Sequence, residues 1–398
     1  MEELSKRLAK MIEFSLGCTE PAAVAYNTAH LAKYIKNANS ISVEIDRMTF
    51  KNAFAAGIPN SKGLTGAKNA ALLGYLIADT SKGLEIFEML TEEILDRFKK
   101  SNIEINIELS ERKELYILST AKDSDGNYAE VLTRKTHTGI TEVKYNGEFI
   151  FKKKAKKLDD EIEFEDELFD STRWEEIVEY LYKDEELKGR VKRALDVNLN
   201  AIEYGKKYLE PQVNPAFGAI YARMGGDNIE ISSCAGSGNK GIVAIGAVSY
   251  LARKMDKSEE KTIKAVILSC LITSLITSKF GFVSSECGVV HAAGVGLMAA
   301  MLYLDNRLNL FYDSYKNYIE GVGGVFCDGA KRGCSMKGYT ASEMALKSIA
   351  LAKNSTTAPN TDGFLGKDFR ETIYNLLQYD PYFKLFDRET IDILQRKT

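Results

Sequence analysis

The sequence lacks the features that mark several common functional classes. No apolar run among its 398 residues is long enough to span a bilayer, and the best candidate, residues 265–278, carries several hydroxyl groups and predicts a buried helix. The formal net charge is only -3, so no overall positive field attracts nucleic acid. The N-terminus, residues 1–14, contains glutamates and resembles neither a secretory nor an arginine-rich transit signal. We therefore expect a cytoplasmic protein that binds neither membranes nor nucleic acid.

Familiar catalytic motifs are absent as well. The sequence has no HExxH zinc motif, no P-loop, no GxGxxG before a predicted Rossmann helix and no nucleophile-elbow serine. Only three histidines occur, and a structural role is the favoured interpretation of each. His30 falls inside a predicted helix, and His291 lies one turn beyond Cys287 on another, where it would point near the same site. His137 lies among hydroxyl groups in "KTHTGI" and is the histidine best placed to face a ligand.

The hydrophobic pattern changes along the chain and predicts an α+β fold. The length suggests about two domains. Alternating segments between residues 102 and 153, joined by "DSDGN" and "YNGE", predict an antiparallel sheet. After Trp174 the apolar spacing is helical, with later helices near 239–255, 260–279, 288–304 and 340–353. We predict a small mixed domain with an antiparallel sheet and a larger, mainly α-helical domain.

The predicted domain limits follow from these changes of pattern. Residues 1–37 form N-terminal helices, which contain Cys18 and pack near the helical domain. Residues 38–155 form the α+β domain, and residues 171–398 form the helical domain. Residues 152–170 switch from basic to acidic with few large apolar side chains, which predicts an exposed connector.

Cys18, in "GCTEPAAVAY", stands just before a predicted helix start. Thr19 suits the N-cap, and Glu20 and Pro21 suit the first turn. A thiol beside the unpaired N–H groups of a helix N-terminus has a lowered pKa, which favours the reactive thiolate. The competing interpretation is a small buried apolar side chain at a helix entry.

Three further cysteines occur in glycine-rich segments of the second half. Cys287 precedes an apolar, glycine-rich helix, and Cys327 and Cys334 flank "DGAKRG". Their spacing is too wide for a zinc knuckle and differs from the close cysteine runs of ferredoxins. Three thiolates could instead hold an iron–sulfur cluster and leave one iron open to substrate. The alternative is that these are scattered core cysteines, as we expect for Cys270.

The segment "CAGSGNKG" contains a glycine-rich turn that opens a helix. Such a turn can bind a phosphate or carboxylate through backbone N–H groups, or it can simply be a tight turn. Cys234 immediately precedes the turn and has no clear role from sequence.

Four motifs together, "GCTEPAAVAY", "GSGNKG", "SSECG" and "CDGAKRGC", resemble the L-cysteine desulfidase family, which is related to the oxygen-sensitive iron–sulfur L-serine dehydratases. The similarity covers nearly the whole chain in order. It implies conversion of L-cysteine and water to pyruvate, ammonia and hydrogen sulfide without pyridoxal phosphate. It also implies a [4Fe-4S] cluster in the helical domain, held by Cys287, Cys327 and Cys334, with Cys18 as the acid/base residue.

The substrate-binding residues that we predict are Ser237, Gly238, Asn239, Lys240 and His137. In the mechanism that the resemblance implies, backbone N–H groups of residues 236–241 hold the substrate carboxylate. Cys18 acts as a thiolate base on the α-proton.

Three alternatives remain open from the sequence. The same cluster could eliminate water from L-serine. A pyridoxal-phosphate lyase would need a Schiff-base lysine, for which Lys240 is the candidate. A non-enzymatic electron-transfer or sensor protein is disfavoured because three rather than four cysteines converge. The partner that we expect is a small amino-acid substrate; the oligomeric state is open, and a homo-oligomer is one option.

Overall fold

The computed structural model describes residues 1–154 and 164–397. It has the predicted α+β architecture, with one hydrophobic core among helices and another between a six-stranded sheet and its covering helices. The middle of the predicted connector, residues 155–163, lies outside the described residues. The predicted domain limits stay predictions.

The helices and strands up to residue 154 are α1 (Glu2–Lys10), β1 (Phe14–Leu16), α2 (Thr19–Leu31), β2 (Ser40–Asp46), α3 (Arg47–Ala53), α4 (Gly66–Ile77), a 3₁₀ helix (Gly83–Met89), α5 (Glu92–Lys100), β3 (Glu104–Ser110), β4 (Tyr116–Lys122), β5 (Tyr128–Arg134), β6 (Ile140–Tyr145) and β7 (Glu148–Lys152).

The elements from residue 164 onward are 3₁₀ helices (Asp166–Phe169 and Ser171–Arg173), α6 (Trp174–Tyr182), α7 (Glu185–Gly205), α8 (Phe217–Met224), β8 (Glu230–Ser232), α9 (Gly238–Gly241), a π-helical segment (Ile242–Ala247), α10 (Val248–Lys254), α11 (Glu259–Phe280), a π-helical segment (Val289–Ala293), α12 (Gly294–Leu304), a 3₁₀ helix (Leu308–Leu310), α13 (Phe311–Val322), α14 (Cys334–Lys353), α15 (Phe369–Leu377) and α16 (Asp380–Gln395).

The larger sheet contains the predicted antiparallel strands and one parallel pair, so it is mixed as a whole. Its strand order is β3-β2-β4-β5-β6-β7, and β2 and β3 run parallel, with Ile41 opposite Ile105. Parallel neighbours need a long crossover connection, which α3, α4 and α5 provide here. The other neighbouring pairs are antiparallel, so the hairpins predicted at "DSDGN" and "YNGE" are confirmed.

Helix α2 lies against the sheet, while Cys18 at its N-terminus packs with the helical core. Its buried Asn27 donates from Nδ2 to the carbonyl oxygens of Ile117 and Val131, at 3.1 and 3.2 Å. Helix α1 does pack into the helical core. The chain turns between the two helices at Gly17, where φ is +73° and an added Cβ would lie 2.5 Å from Pro59. This turn places the start of α2 between the two cores.

The helical core is built around α11 and α12. Helix α11 is long and apolar enough to span a membrane by length and composition, but 89% of its apolar window is buried inside the protein. The predicted buried helix is therefore confirmed as a core helix. Helix α14 starts at Cys334 rather than near residue 340, and Gly338 lies inside it, where an added Cβ would lie 2.3 Å from Ile220 Cδ1.

Candidate active site

A cavity of about 240 Å³ lies between the two cores. One side, called the sheet-side wall, is formed by Cys18, Thr19, Glu20, Asn52 and His137. The other side, called the helical wall, is formed by Arg223, Gly236, Ser237, Asn239, Lys240, Phe282, Val283, Ser284, Glu286, Cys287, Gly288, Val289, Cys327, Gly329, Ala330 and Cys334.

Most of the site residues predicted from sequence meet at this cavity. Those that line it are Cys18, His137, Ser237, Asn239, Lys240, Cys287, Cys327 and Cys334. Gly238 does not line it; its Cα packs on Arg223, where an added Cβ would lie 2.5 Å from Nε. His291 is also outside the lining, since its ring packs on Phe280 with 4.7 Å between centroids. Cys234 and Cys270 are buried together in the core, with the Cys234 thiol 3.9 Å from the Cys270 carbonyl oxygen.

Cys18 differs from its prediction in two respects. Cys18, and not Thr19, is the N-cap of α2, and its side chain makes no capping hydrogen bond. Burial raises the pKa of the Cys18 thiol well above its ordinary value, the neighbouring Glu20 carboxylate raises it further, and the Arg223 guanidinium only partly opposes them. The predicted lowering by the helix N-terminus is therefore wrong. The resting thiol is protonated and donates to Glu20 Oε2 across 3.0 Å.

Glu20 is held by donors on both carboxylate oxygens. Oε2 accepts from the Cys18 thiol and, at 3.0 Å, from the Thr19 hydroxyl, while Oε1 accepts from Asn52 Nδ2 at 3.1 Å. Burial opposes the negative charge, but the nearby His137 and these hydrogen bonds outweigh it and lower the pKa of Glu20. A carboxylate that accepts from three donors is in its basic form.

Arg223 joins the two walls. Its guanidinium donates to the carbonyl oxygen of Gly17, at 2.8 Å, and to Asn239 Oδ1, at 3.0 Å. These bonds tie the turn before Cys18 to the glycine-rich loop. Ser237 caps the helix that follows the loop, accepting from the Lys240 N–H at 3.4 Å. The cationic side chain therefore fixes the relative position of two motifs that are far apart in sequence.

Lys240 is the most deeply buried cation of the helical wall. Its Nζ donates to Thr277 Oγ1 at 3.1 Å, and burial lowers its pKa to about 8. Cys234 and Cys287 lie near enough to oppose that lowering. Lys240 thus lies between the core thiols and the cavity, where it is available to an anionic group.

The three candidate cluster cysteines are positioned by backbone hydrogen bonds. The Cys287 N–H donates to Val325 O at 2.8 Å, and the Cys327 N–H donates to Ser285 O at 2.7 Å, so the two loops pair. Cys334 opens α14. Burial raises the pKa of Cys287 to about 12, and the neighbouring Cys327 thiol raises it too. Such thiols stay protonated until a metal displaces the protons.

These cysteines fit an iron–sulfur cluster better than a single ion. Among residues 1–154 and 164–397, no group of three or more His, Cys, Asp or Glu could hold one metal ion. A [4Fe-4S] cluster bonds each thiolate to a different iron, so its ligands surround a larger body. Cys287, Cys327 and Cys334 border one cavity and are electrostatic neighbours of one another. Both the donor type and the placement suit a cluster.

A buried ion pair connects the loop that contains Cys327 to helices α3 and α16. Lys51 Nζ, from α3, donates to Asp387 Oδ1 of α16 at 2.5 Å and to Cys327 O at 3.2 Å. The other oxygen of Asp387 accepts from the Ser285 hydroxyl at 2.5 Å. The Lys51 side chain is completely buried. The network fixes the segments that contain Cys287 and Cys327.

Sequence reasoning missed the roles of several residues of this region, including Glu20, which was predicted only as a first-turn residue of a helix. Glu286 is buried with one carboxylate oxygen unpaired, and burial raises its pKa to about 7. It lies inside the quoted motif "SSECG", so a buried acid beside a cysteine was visible. Asn52, Arg223 and Lys51 lie outside every quoted motif. Only long-range packing brings them to the site, so no local signal could have found them.

Comparison with known proteins shows the family of this chain. A family model described as the serine dehydratase alpha chain matches residues 81–381. The chain belongs to the serine dehydratase alpha chain family. The matched segment of this family contains the helical wall but starts after Cys18 and Glu20. Membership indicates a lyase of the dehydratase type, and iron–sulfur serine dehydratases of this family suggest a [4Fe-4S] cluster.

Relatives that match along most of the chain extend the similarity to the sheet-side wall. A protein named UPF0597 protein from Nautilia profundicola is 32% identical and covers 98% of this chain and 98% of its own length. UPF0597 proteins from Fervidobacterium nodosum and Clostridium tetani are each 31% identical, covering 96% and 91% of this chain and 94% and 90% of their own lengths. Their names give no specific activity.

Proposed function

We propose that the protein is an L-cysteine desulfidase, which eliminates sulfide from L-cysteine and yields pyruvate, ammonia and hydrogen sulfide. One observation carries the proposal. The thiols of Cys287, Cys327 and Cys334 border the same cavity as the Cys18–Glu20 pair, in a chain of the serine dehydratase alpha chain family. An elimination needs a group that handles the α-proton and a site that takes the leaving atom, and this cavity offers candidates for both.

Cys287, Cys327 and Cys334 are the proposed ligands of a [4Fe-4S] cluster. When bound, a cluster with three protein ligands supplies a Lewis-acidic iron without a fourth protein ligand, which favours departure of the leaving atom. The role of the protein is to hold the three thiolates, through the loop pairing at Ser285 and Val325.

The remaining cavity residues suit an amino-acid substrate. Backbone N–H groups of residues 236–241 are our candidates for the carboxylate, with the buried cation of Lys240 behind them. Ser237, Asn239 and His137 supply polar groups around the same space. Cys18 is the proposed acid/base residue, because its thiol lines the cavity and donates a hydrogen bond to the Glu20 carboxylate.

The second candidate function is L-serine dehydration by the same site. The family match favours it, because the matched model is that of a serine dehydratase. The two reactions differ only in the leaving atom, hydroxide in one and sulfide in the other. The protein is a lyase in either case, and its preferred substrate decides whether it is a cysteine desulfidase or a serine dehydratase.

The test is anaerobic reconstitution with iron, sulfide and reductant, removal of free sulfide, and assays on both amino acids. We expect sulfide and pyruvate from L-cysteine with a higher kcat/KM than pyruvate from L-serine. The reverse order would make the protein a serine dehydratase. A matched control is Cys327→Ala, which should give neither product.

The absorption spectrum of the same sample separates the other two alternatives. A broad band that dithionite bleaches indicates an iron–sulfur cluster, whereas a sharper aldimine band would indicate pyridoxal phosphate on Lys240. A stable cluster with no turnover of either amino acid would instead support an electron-transfer or sensor protein. The cytoplasmic location and a homo-oligomeric state stay predictions.

A further inference from the structure

The hydrogen bond between Cys18 and Glu20 fixes where the proton lies before reaction. The thiol is the donor and Glu20 Oε2 the acceptor, with 3.0 Å between the heavy atoms. The same carboxylate accepts from Thr19 and Asn52, and three donated hydrogen bonds favour its anionic form. Within the pair, the Cys18 thiol therefore carries the proton and is the acid, and the Glu20 carboxylate is the base.

We propose that Glu20 is the proton acceptor of the elimination and Cys18 the proton donor, which reverses the thiolate-base role that the resemblance implied for Cys18. This assignment rests on the proposed function. It follows the rule that neighbouring titratable groups kept in opposite protonation states divide the acid and base roles between them. Both side chains line the cavity, so each is accessible to a substrate there.

With this assignment, protons and electrons balance, and Cys18 and Glu20 are the only protein groups that exchange protons. The Glu20 carboxylate takes the α-proton, and the electrons of the Cα–H bond form the Cα–Cβ double bond. The Cβ–S bond breaks with its electron pair going to sulfur, which receives the Cys18 proton and leaves as hydrogen sulfide. Glu20 then returns its proton to the Cys18 thiolate along their hydrogen bond. The aminoacrylate product tautomerises to an imine, which water hydrolyses.

The surrounding charges support both proton transfers, to Glu20 and from Cys18. His137 lies near Glu20 and favours its anionic form, and the Arg223 guanidinium lies near the Cys18 sulfur and favours a transient thiolate. Lys240 is the further cation that lines the cavity. Asn52, from α3, holds the second oxygen of Glu20, so the carboxylate keeps its orientation after Cys18 has lost its proton.

The first experiment separates proton removal from leaving-group departure in the reconstituted holoenzyme. The substrate, L-cysteine or L-serine, is incubated in D₂O, and both product formation and deuterium at Cα of the recovered substrate are measured. Glu20→Gln should lower both by about 10²-fold or more, the usual size of general base catalysis. Cys18→Ser should lower product formation but retain deuterium incorporation. The opposite pattern, with incorporation lost in Cys18→Ser and kept in Glu20→Gln, would overturn the assignment.

The second experiment needs no substrate and keeps the inference falsifiable if the proposed function fails. In the holoenzyme, iodoacetamide labelling of Cys18 is followed by peptide mass spectrometry across pH, while the ligand cysteines are protected by iron. Glu20→Gln removes the anion that opposes the thiolate, so Cys18 should label faster at neutral pH, by about tenfold for each unit that its pKa falls. An unchanged labelling rate would overturn the proposed pair.

The two failures are distinguishable. If the wild-type holoenzyme turns over neither amino acid, the proposed function fails, and the labelling result still decides where the proton lies. Glu92→Gln is the matched control, because Glu92 is an exposed residue paired with Lys62 away from the cavity. It should change neither labelling nor turnover. Glu20→Asp keeps the carboxylate and should recover part of the exchange, which a purely structural role for Glu20 would not predict.

Discussion

The two walls of the cavity contribute different chemistry. The sheet-side wall carries the two groups to which we assign the proton transfers, the Cys18 thiol and the Glu20 carboxylate, beside the His137 side chain. The helical wall carries the three thiols suited to a cluster together with buried cations. Helices α2 and α3, which carry most of the sheet-side wall, pack mainly in the core against the sheet, while Cys18 at the start of α2 packs with the helical core, so both cores contribute to the site. The comparison suggests that metal binding and proton transfer can be damaged separately.

The largest effect should come from the thiols of the helical wall. Cys287→Ala, Cys327→Ala or Cys334→Ala should each remove most of the iron and all activity, because no spare thiol lies in these loops. Iron analysis and the sulfide assay measure both losses. Cys270→Ala is the control, since Cys270 is buried in the core, and it should keep iron and activity. Full iron content in Cys327→Ala would contradict the ligand assignment.

Removing the iron should abolish activity as completely as losing a ligand cysteine does, but the loss should be reversible. An iron without a fourth protein ligand is accessible to oxygen, so activity should decay in air and return after anaerobic treatment with iron and reductant. The visible absorbance should fall and recover in parallel. Full activity in an aerobically purified, iron-free sample would refute a cluster on the helical wall.

The contact between the walls can be broken at Lys51. Lys51→Met leaves the Asp387 carboxylate without its buried partner, which typically costs about 3–5 kcal/mol of folding free energy. Denaturant unfolding measures the loss, and the double variant Lys51→Met/Asp387→Leu should recover much of it. Lys62→Met removes an exposed ion pair and should cost less than about 1 kcal/mol. Equal stability of the two single variants would contradict the role of the Lys51 network.

A smaller loss should follow from a change on the sheet-side wall. Cys18→Ser should lower kcat by about 10²-fold, because a serine hydroxyl is a much poorer proton donor than a thiol. The iron content should not change, since the proposed ligands are on the opposite wall. Loss of iron in Cys18→Ser would instead make Cys18 a fourth ligand.

The smallest effect should be a loss of folding stability at acidic pH, which we attribute to His30. Burial lowers the pKa of His30 from 6.5 to about 4, so the unfolded chain takes up its proton first as the pH falls. The free energy of unfolding is therefore unaffected by the protonation of His30 above pH 6.5, and it falls as the pH is lowered from 6.5 to 4. His30→Gln should flatten the stability curve in that window by about 1 kcal/mol, after a discount for partial exposure. An unchanged slope would contradict the burial effect.

Local patterns predicted those parts of the molecule that local forces determine. The hairpins at "DSDGN" and "YNGE", the buried helix α11 and the α+β class followed from turn residues and apolar spacing. The parallel pairing of β2 with β3 did not, because it depends on a crossover of more than fifty residues. The direction of the Cys18 pKa shift was wrong for a similar reason. The motif suggests a helix terminus but not the burial, nor the Glu20 side chain folded back onto the thiol.

Asp387 also bears on when the site can be completed during synthesis. It lies on α16, the last helix of the chain, yet its carboxylate holds Ser285 and, through Lys51, the Cys327 loop. Residue 387 must therefore have left the ribosome before these loops, about 60 to 100 residues earlier, are fixed. We expect cluster insertion to follow the synthesis of α16 rather than precede it. A chain that ends at residue 379 should take up less iron on reconstitution than the full chain, even though it retains every proposed ligand.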